Sequence, residues 1–208
     1  MRIRKKYFFI FFFIFLLSPP KGSCQNTASV SSSSEGKFIF NPGFFFRVDT
    51  RRLSSMSTTK ILYGDLNFGY QYASGWYIGM LYSTENEQVV SENFPSTGID
   101  TKYNYLRSSL GLSGGYIYGS YYARFHVLTL ARWDIDENTH KAVYLGGWGG
   151  QIDLGLNFEL FPNFLLGPKI TYKYIIYPKY SDSSGESSLS PPLSKVSLNP
   201  YFTIWWEF

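Results

Sequence analysis

One cysteine, two histidines and a charged fraction of 16% are what this sequence of 208 residues has least of. A lone Cys24 excludes a disulfide framework and a cysteine-rich zinc site. Charged residues make up about 25% of an ordinary soluble domain, so a soluble globule of this composition would be short of surface charge. Helical periodicity is missing as well: after residue 36 no long stretch repeats its apolar residues every 3.6 positions. Aromatic residues, in contrast, reach 20%, with 18 Tyr, 19 Phe and 5 Trp, which excludes disorder for the bulk of the chain. The length suits one domain with a sizeable core.

The N-terminus reads as a targeting segment. Arg2, Arg4, Lys5 and Lys6 precede an apolar run of eleven residues at 7–17, then Ser18-Pro19-Pro20 and the small residues before Cys24. This is the layout of a secretory signal peptide over residues 1–24. A helix needs roughly 20 apolar residues to span a bilayer, so the run is too short for that. Two competing readings are a short membrane anchor and a lipid-modified Cys24. Lys21 stands where a lipobox would carry Leu. Removing residues 1–24 takes five of the 19 basic residues and none of the 15 acidic ones, so the formal charge moves from +4 to −1. The basic character belongs to the leader, and no nucleic-acid partner is expected. Residues 25–36, with Ser31 to Ser34 in a row, read as a flexible lead-in.

Residues 37–208 alternate with a period of two. At the C-terminus Val196, Leu198, Pro200, Phe202, Ile204, Trp206 and Phe208 share one face, while Lys195 and Glu207 lie on the other. Near the start, Phe38, Phe40, Pro42, Phe44, Phe46 and Val48 oppose Lys37, Asn41, Arg47 and Asp49. Eight strands of roughly 9–15 residues follow from this pattern, each long enough to cross a bilayer when tilted. Two are imperfect. Tyr103 and Tyr105 fall on the parity of Arg107, which a bulge near Leu106 would reconcile, and Leu128 and Leu130 fall on the parity of His126 and Arg132. Connections alternate in length. Short ones lie at Ala73-Ser74-Gly75, Gly119-Ser120 and Leu160-Phe161-Pro162; long polar ones are expected at 51–60, 86–100, 134–142 and 181–194. The first short one fits a three-residue hairpin loop that pairs Tyr72 with Trp76, and Gly119-Ser120 fits a type II′ turn.

Such alternation suits a soluble barrel with a greasy interior or a membrane barrel with a greasy exterior. Size separates them, because an eight-stranded barrel has room inside only for ordinary side chains. The bulky aromatic face therefore points outward and the Gly-, Ser- and Asn-rich face inward. Aromatics near the short turns, among them Tyr70, Tyr72, Trp76, Tyr116, Tyr118, Tyr121, Phe158, Phe161 and Phe164, fit an interfacial girdle. The fold class expected is all-β: an eight-stranded antiparallel up-and-down transmembrane β-barrel after a cleaved signal peptide. With this pattern, and with Phe202, Ile204, Trp206 and Phe208 closing the chain, residues 37–208 resemble small bacterial outer-membrane β-barrels of the OmpX, OmpA-barrel and OmpW type. The resemblance implies an outer-membrane location with periplasmic termini and extracellular long loops. It implies contact with lipid and lipopolysaccharide, and recognition of the last strand by the barrel assembly machinery. A monomer is expected.

Chemistry-bearing residues are few. Arg47, Asp65, Arg107, Arg124, Asp153, Lys169, Lys173 and Glu207 face inward and are expected to pair, since an unpaired buried charge is costly. If Phe158 pairs with Phe164, Asp153 lies across from Lys169 and forms a cross-strand ion pair. His126 has Ser113 opposite it; His140 lies beside Asp134, Asp136 and Glu137 in an acidic loop. Lipid A deacylases resemble a barrel with His-x-Ser on a late strand, but here His126-Val127-Leu128 lacks the Ser. No catalytic, metal or cofactor site is expected. The glycines of Gly146-Gly147-Trp148-Gly149-Gly150 read as room for curvature and for a large neighbour, or as a lateral opening for an apolar ligand. A structural or surface-interacting barrel leads; a narrow solute channel and a lipid A-modifying enzyme are the rivals.

Overall fold

The structure is a computed structural model that describes residues 36–52, 56–92, 101–137 and 141–208. The readings of residues 1–24, of most of the lead-in and of His140 lie outside the described residues. Nine strands follow in order: β1 (Lys37–Arg52), β2 (Met56–Gln71), β3 (Trp76–Glu92), β4 (Thr101–Tyr118), β5 (Tyr121–Glu137), β6 (Lys141–Leu156), β7 (Phe158–Phe161), β8 (Phe164–Asp182) and β9 (Gly185–Glu207). Neighbours in sequence pair antiparallel, β1 pairs with β9, and β6 also pairs with β8, which closes a ring of eight. The ninth strand is no extra wall. The pairs Gly155↔Lys169 and Phe158↔Leu166 belong to one register, so β7 continues β6 past Asn157. The interruption falls beside Pro168, which would face Leu156 and has no N–H to give.

The inside and outside are distributed as in a membrane-spanning barrel. Phe44, Leu66, Met80, Leu112, Phe125, Leu154 and Phe202 are all exposed on the outer surface, with Trp76 62% exposed beside the short turns. Asn41, Asp65, Asn67, His126, Gln151 and Asp153 are buried inside. Trp76 packs edge-on against Tyr116 at 5.4 Å, and Phe161 stacks on Phe164 at 4.5 Å, within the expected girdle.

Strand lengths depart from expectation. They reach 16 to 23 residues outside β7, whereas a tilted strand crosses lipid in about 10. Where described, the segments expected as long loops are ladder: β2 begins at Met56, β3 runs to Glu92, and β8 and β9 turn at Ser183-Ser184. Polar side chains do not stop a ladder once its register is set, because the backbone groups still need partners. Beyond the apolar belt both faces of these arms are solvated, so the alternation that marks a strand fades there. At the arm tip Asp182 Oδ1 accepts from the Ser184 N–H at 2.8 Å. On the same arm Glu186 binds Lys179 at 2.8 Å and raises the pKa of its ammonium.

The parity faults have a cause other than the one expected. β4 runs without a bulge, so Tyr103 and Tyr105 share the inner side with Arg107. The register shift lies in β5, where Leu110↔Leu130 follows Gly111↔Leu128 and Thr129 is the extra residue. Leu128 is therefore inside, Leu130 and Arg132 are outside, and Trp133 returns to the interior. A matching irregularity in β6 centres on Gly146, whose φ of 63° suits glycine. Two of the three short turns are as read: Tyr72 N–H donates to Trp76 O at 2.8 Å around Gly75 (φ 89°), and Gly119 (φ 55°) opens the turn between Tyr118 and Tyr121.

The seam between β1 and β9 is short. Phe38 and Phe208 exchange both backbone hydrogen bonds at 3.1 and 3.0 Å, and the pairing ends at Phe44↔Phe202. Every second residue should donate across this seam. Two of those positions are Pro42 and Pro200, which cannot. At Pro42 a side chain substitutes: Asn41 Nδ2 donates to Ile204 O at 2.8 Å. Past Phe44, β1 and β9 have no pairing with each other among the described residues.

Gly147 shows what the glycine run accommodates. A Cβ there would lie 2.7 Å from the Tyr177 ring and 2.9 Å from Ala131, whereas a Cβ at Gly150 would have 3.7 Å of clearance. Gly147→Val is therefore expected to destabilise by about 1–3 kcal/mol and Gly150→Val by much less. The urea midpoint for loss of the fast-migrating, unboiled gel band checks this; equal midpoints would contradict the packing.

Candidate functional site

The lumen gathers buried polar and charged side chains, and it is layered. Nearest the short turns, Trp205 of β9, Tyr122 of β5 and Tyr77 of β3 close the bore with Ile39 and Ile117. The Arg124 guanidinium sits against this floor, 4.7 Å from the Tyr122 ring, 4.9 Å from Trp205 and 5.6 Å from Tyr77. It donates to Asn41 Oδ1 at 2.5 Å and lies 3.9 Å from Asp153. Gly115 makes room for it: a Cβ there would strike Arg124 Cγ at 2.7 Å.

Asp153 is the next level. It accepts from Lys169 Nζ at 3.0 Å, Thr171 Oγ1 at 2.9 Å and Gln151 Nε2 at 2.8 Å. Lys169 also donates to Asp65 of β2, and its Nζ lies 4.6 Å from the Tyr201 ring. Two carboxylates and two cations thus balance in a space from which water is largely excluded. His126 closes the cluster, with Nδ1 2.7 Å from Ser113 Oγ and Nε2 3.2 Å from Asp153 Oδ2. Toward the arms, Arg107 binds Glu85 tightly and Glu87 at 3.5 Å, under the Trp133 ring at 4.7 Å. Lys173 donates to Ser83 at 2.5 Å, and Ser83 contacts Ser109 at 2.8 Å.

Of the inward charges expected to pair, Asp65, Arg124, Asp153 and Lys169 come together in one cluster, and Arg107 and Lys173 lie in another. The remaining two belong to neither. Glu207 binds Lys37 at 2.6 Å on the short-turn rim, and Arg47 is exposed toward the arm end of β1. The Asp153–Lys169 pair forms, but in a different register. The hairpin turns at Pro162-Asn163, with Phe161↔Phe164 and Phe158↔Leu166. Asp153 faces Thr171 and Lys169 faces Gly155, so the lysine reaches its partner diagonally. Glu87, within the loop expected at 86–100, proves with Glu85 to be a lumen residue. The signal was present, because Ser83, Glu85 and Glu87 continue the polar parity of β3. Phe202, Ile204, Trp206 and Phe208 line the outer face of the last strand, where Trp206 contacts Phe164 at 5.3 Å.

Ser113, His126 and Asp153 have the residue types of an acyl-transfer triad, which needs a substrate carbonyl at the nucleophile. None is more than 4% exposed, and Asp153 is held by three other side chains. The contact knits β4, β5 and β6 together. Free space lies at the ends. An open groove of about 690 Å3 runs between the arms beside Asp136, Lys141 and Ser181, and a vestibule of about 250 Å3 lies on the short-turn rim beside Lys37, Gln71 and Glu207.

No family model matches the chain, and no curated protein does. Among solved structures it is similar to Neisserial surface protein A (13% identity, 83% of this chain and 97% of that one, TM-score 0.43). It is also similar to the outer membrane protein OprG from Pseudomonas aeruginosa (16%, 84% and 97%, 0.46). A third is the outer membrane protease OmpT from Escherichia coli (9%, 84% and 94%, 0.42).

Removing Lys169 would leave Asp65 and Asp153 facing each other with Arg124 alone. Lys169→Met is expected to destabilise by about 3–5 kcal/mol, the cost of an uncompensated buried charge. Asp65→Asn should cost less, since Asp153 still holds the lysine. Urea unfolding of both variants in detergent, with the order reversed, would contradict this ranking.

Proposed function

We propose that the chain is a sealed, non-enzymatic barrel of the bacterial outer membrane with a structural or surface-interacting role. The observation that carries the reading is the floor of the lumen. Arg124 is 1% exposed and Trp205 0%, and together with Tyr77 and Tyr122 they fill the bore from wall to wall. A solute path would need this cage to open, and opening it would break the contacts of Arg124 with three rings and with Asn41. The buried Ser113–His126 contact supports the absence of catalysis for the same reason: no lipid or peptide reaches it.

In this reading the short turns and both termini of the barrel face the periplasm, and the long arms face outward. The exposed belt meets lipid and lipopolysaccharide, and Phe202, Ile204, Trp206 and Phe208 present the last strand to the assembly machinery. The arms, with Asp134, Asp136 and Glu137 near one tip and Asp182 and Glu186 near another, supply the surface for contact with partners.

Planar-bilayer recording tests the reading. The wild-type chain is expected to give no unitary steps, and the double variant Arg124→Ala/Trp205→Ala to give small ones. Steps from the wild type would overturn it. Mass spectrometry of lipid A with and without the gene tests the absence of enzymatic activity. His126→Ala should leave the lipid A profile unchanged.

A further inference from the structure

The two charged levels of the lumen do not balance alike. In the lower one Arg124 and Lys169 face Asp65 and Asp153, so charge cancels. In the upper one Arg107, Lys173 and Lys195 face only Glu85 and Glu87, and both carboxylates are engaged by Arg107. Among the described residues neither Lys173 nor Lys195 has a carboxylate at ion-pairing distance. One positive charge is left over in a lumen where an uncompensated charge is costly.

The two lysines line the same small cavity, and Ser83, Ser109 and Ser197 add hydroxyls to it. Its volume is about 10 Å3, room for a single water-sized particle. Arg107 beside it is itself only 7% exposed, and its Nε has no hydrogen-bond partner. Lys195 is only half-buried and lies 5.5 Å from the Trp133 ring, toward the arm end, which gives an approach from that side. Donors surround the space; the Glu85 carboxylate that also lines it is held by Arg107, and the Tyr177 hydroxyl there has no hydrogen-bond partner. A polyatomic anion such as phosphate is too large. A cation is excluded by three positive neighbours.

We propose that this cavity is a binding site for one monatomic monovalent anion, chloride in ordinary media, held by Lys173, Lys195 and the serine hydroxyls. The anion neutralises the upper level of the lumen and locks the arm-side half of the barrel without crossing it. It is a structural ligand, independent of whether the floor beneath conducts.

The 35Cl line width of chloride solutions containing the full barrel in detergent tests the site. Excess broadening should saturate with a single class of site and be displaced by bromide. It should fall at least tenfold in Lys173→Met. Lys195→Gln, at the half-buried position, should do the same and covers the case in which Lys173→Met does not fold. In parallel, the thermal midpoint of the unboiled gel band should be higher in sodium chloride than in sodium gluconate at equal ionic strength. That difference should vanish in both variants. No excess broadening in the wild type, or broadening and salt preference that persist in the variants, would overturn the site and leave an adventitious ion only.

Discussion

Lys169 joins parts of the barrel that the backbone does not. It stands on β8, yet its ammonium is shared between Asp153 of the adjacent β6 and Asp65 of β2 on another part of the wall. Backbone ladders hold neighbours only, and they leave the bore free to flatten. A cation placed between carboxylates from separate walls removes that freedom. It does so in a medium where Coulomb attraction is strong and where the alternative, a lone buried charge, is expensive. Around it the remaining side chains arrange themselves by necessity. Thr171 and Gln151 fill the lone pairs of Asp153, Arg124 is pressed onto the aromatic floor, and glycines on the facing strands give up their volume.

What the sequence disclosed was governed by lipid. Where a strand meets the belt, one face must be apolar, and the alternation of Phe38 to Val48 or Val196 to Phe208 is clear. The eight walls, two of the three short turns and the Tyr72–Trp76 pairing were legible there. Beyond the belt that demand ends, so the segments around Glu87 and Glu186 looked like loop while being strand. The bulge at Thr129 was visible as a fault in parity but could not be placed. A single extra residue satisfies the pattern at several positions, and only pairing with Gly111 locates it.

The candidate site was half legible for a related reason. Parity says which side chains point inward, and it correctly gathered Asp65, Arg124, Asp153 and Lys169. It says nothing of height along the bore. Height depends on the register of each hairpin, and the Pro162-Asn163 turn moved β8 by two residues against β6 relative to the pairing first inferred. Long side chains absorbed the error, since a lysine spans a diagonal. Trp205 and Tyr122 could be assigned to the inner side, but their meeting at 4.9 Å to form a floor is a three-dimensional fact.

The seam between first and last strands gives the cylinder two unlike ends. Below Phe44 and Phe202 the hoop is continuous, braced by Arg124 and its rings. Above them it is a hoop with a cut, and Pro200, which has no N–H to give, keeps the backbone from lacing it up fully. A cut hoop resists squeezing poorly. Lateral pressure from a crowded or stiffening membrane would therefore be taken up at the arm end, as a change in girth, while the floor keeps its diameter.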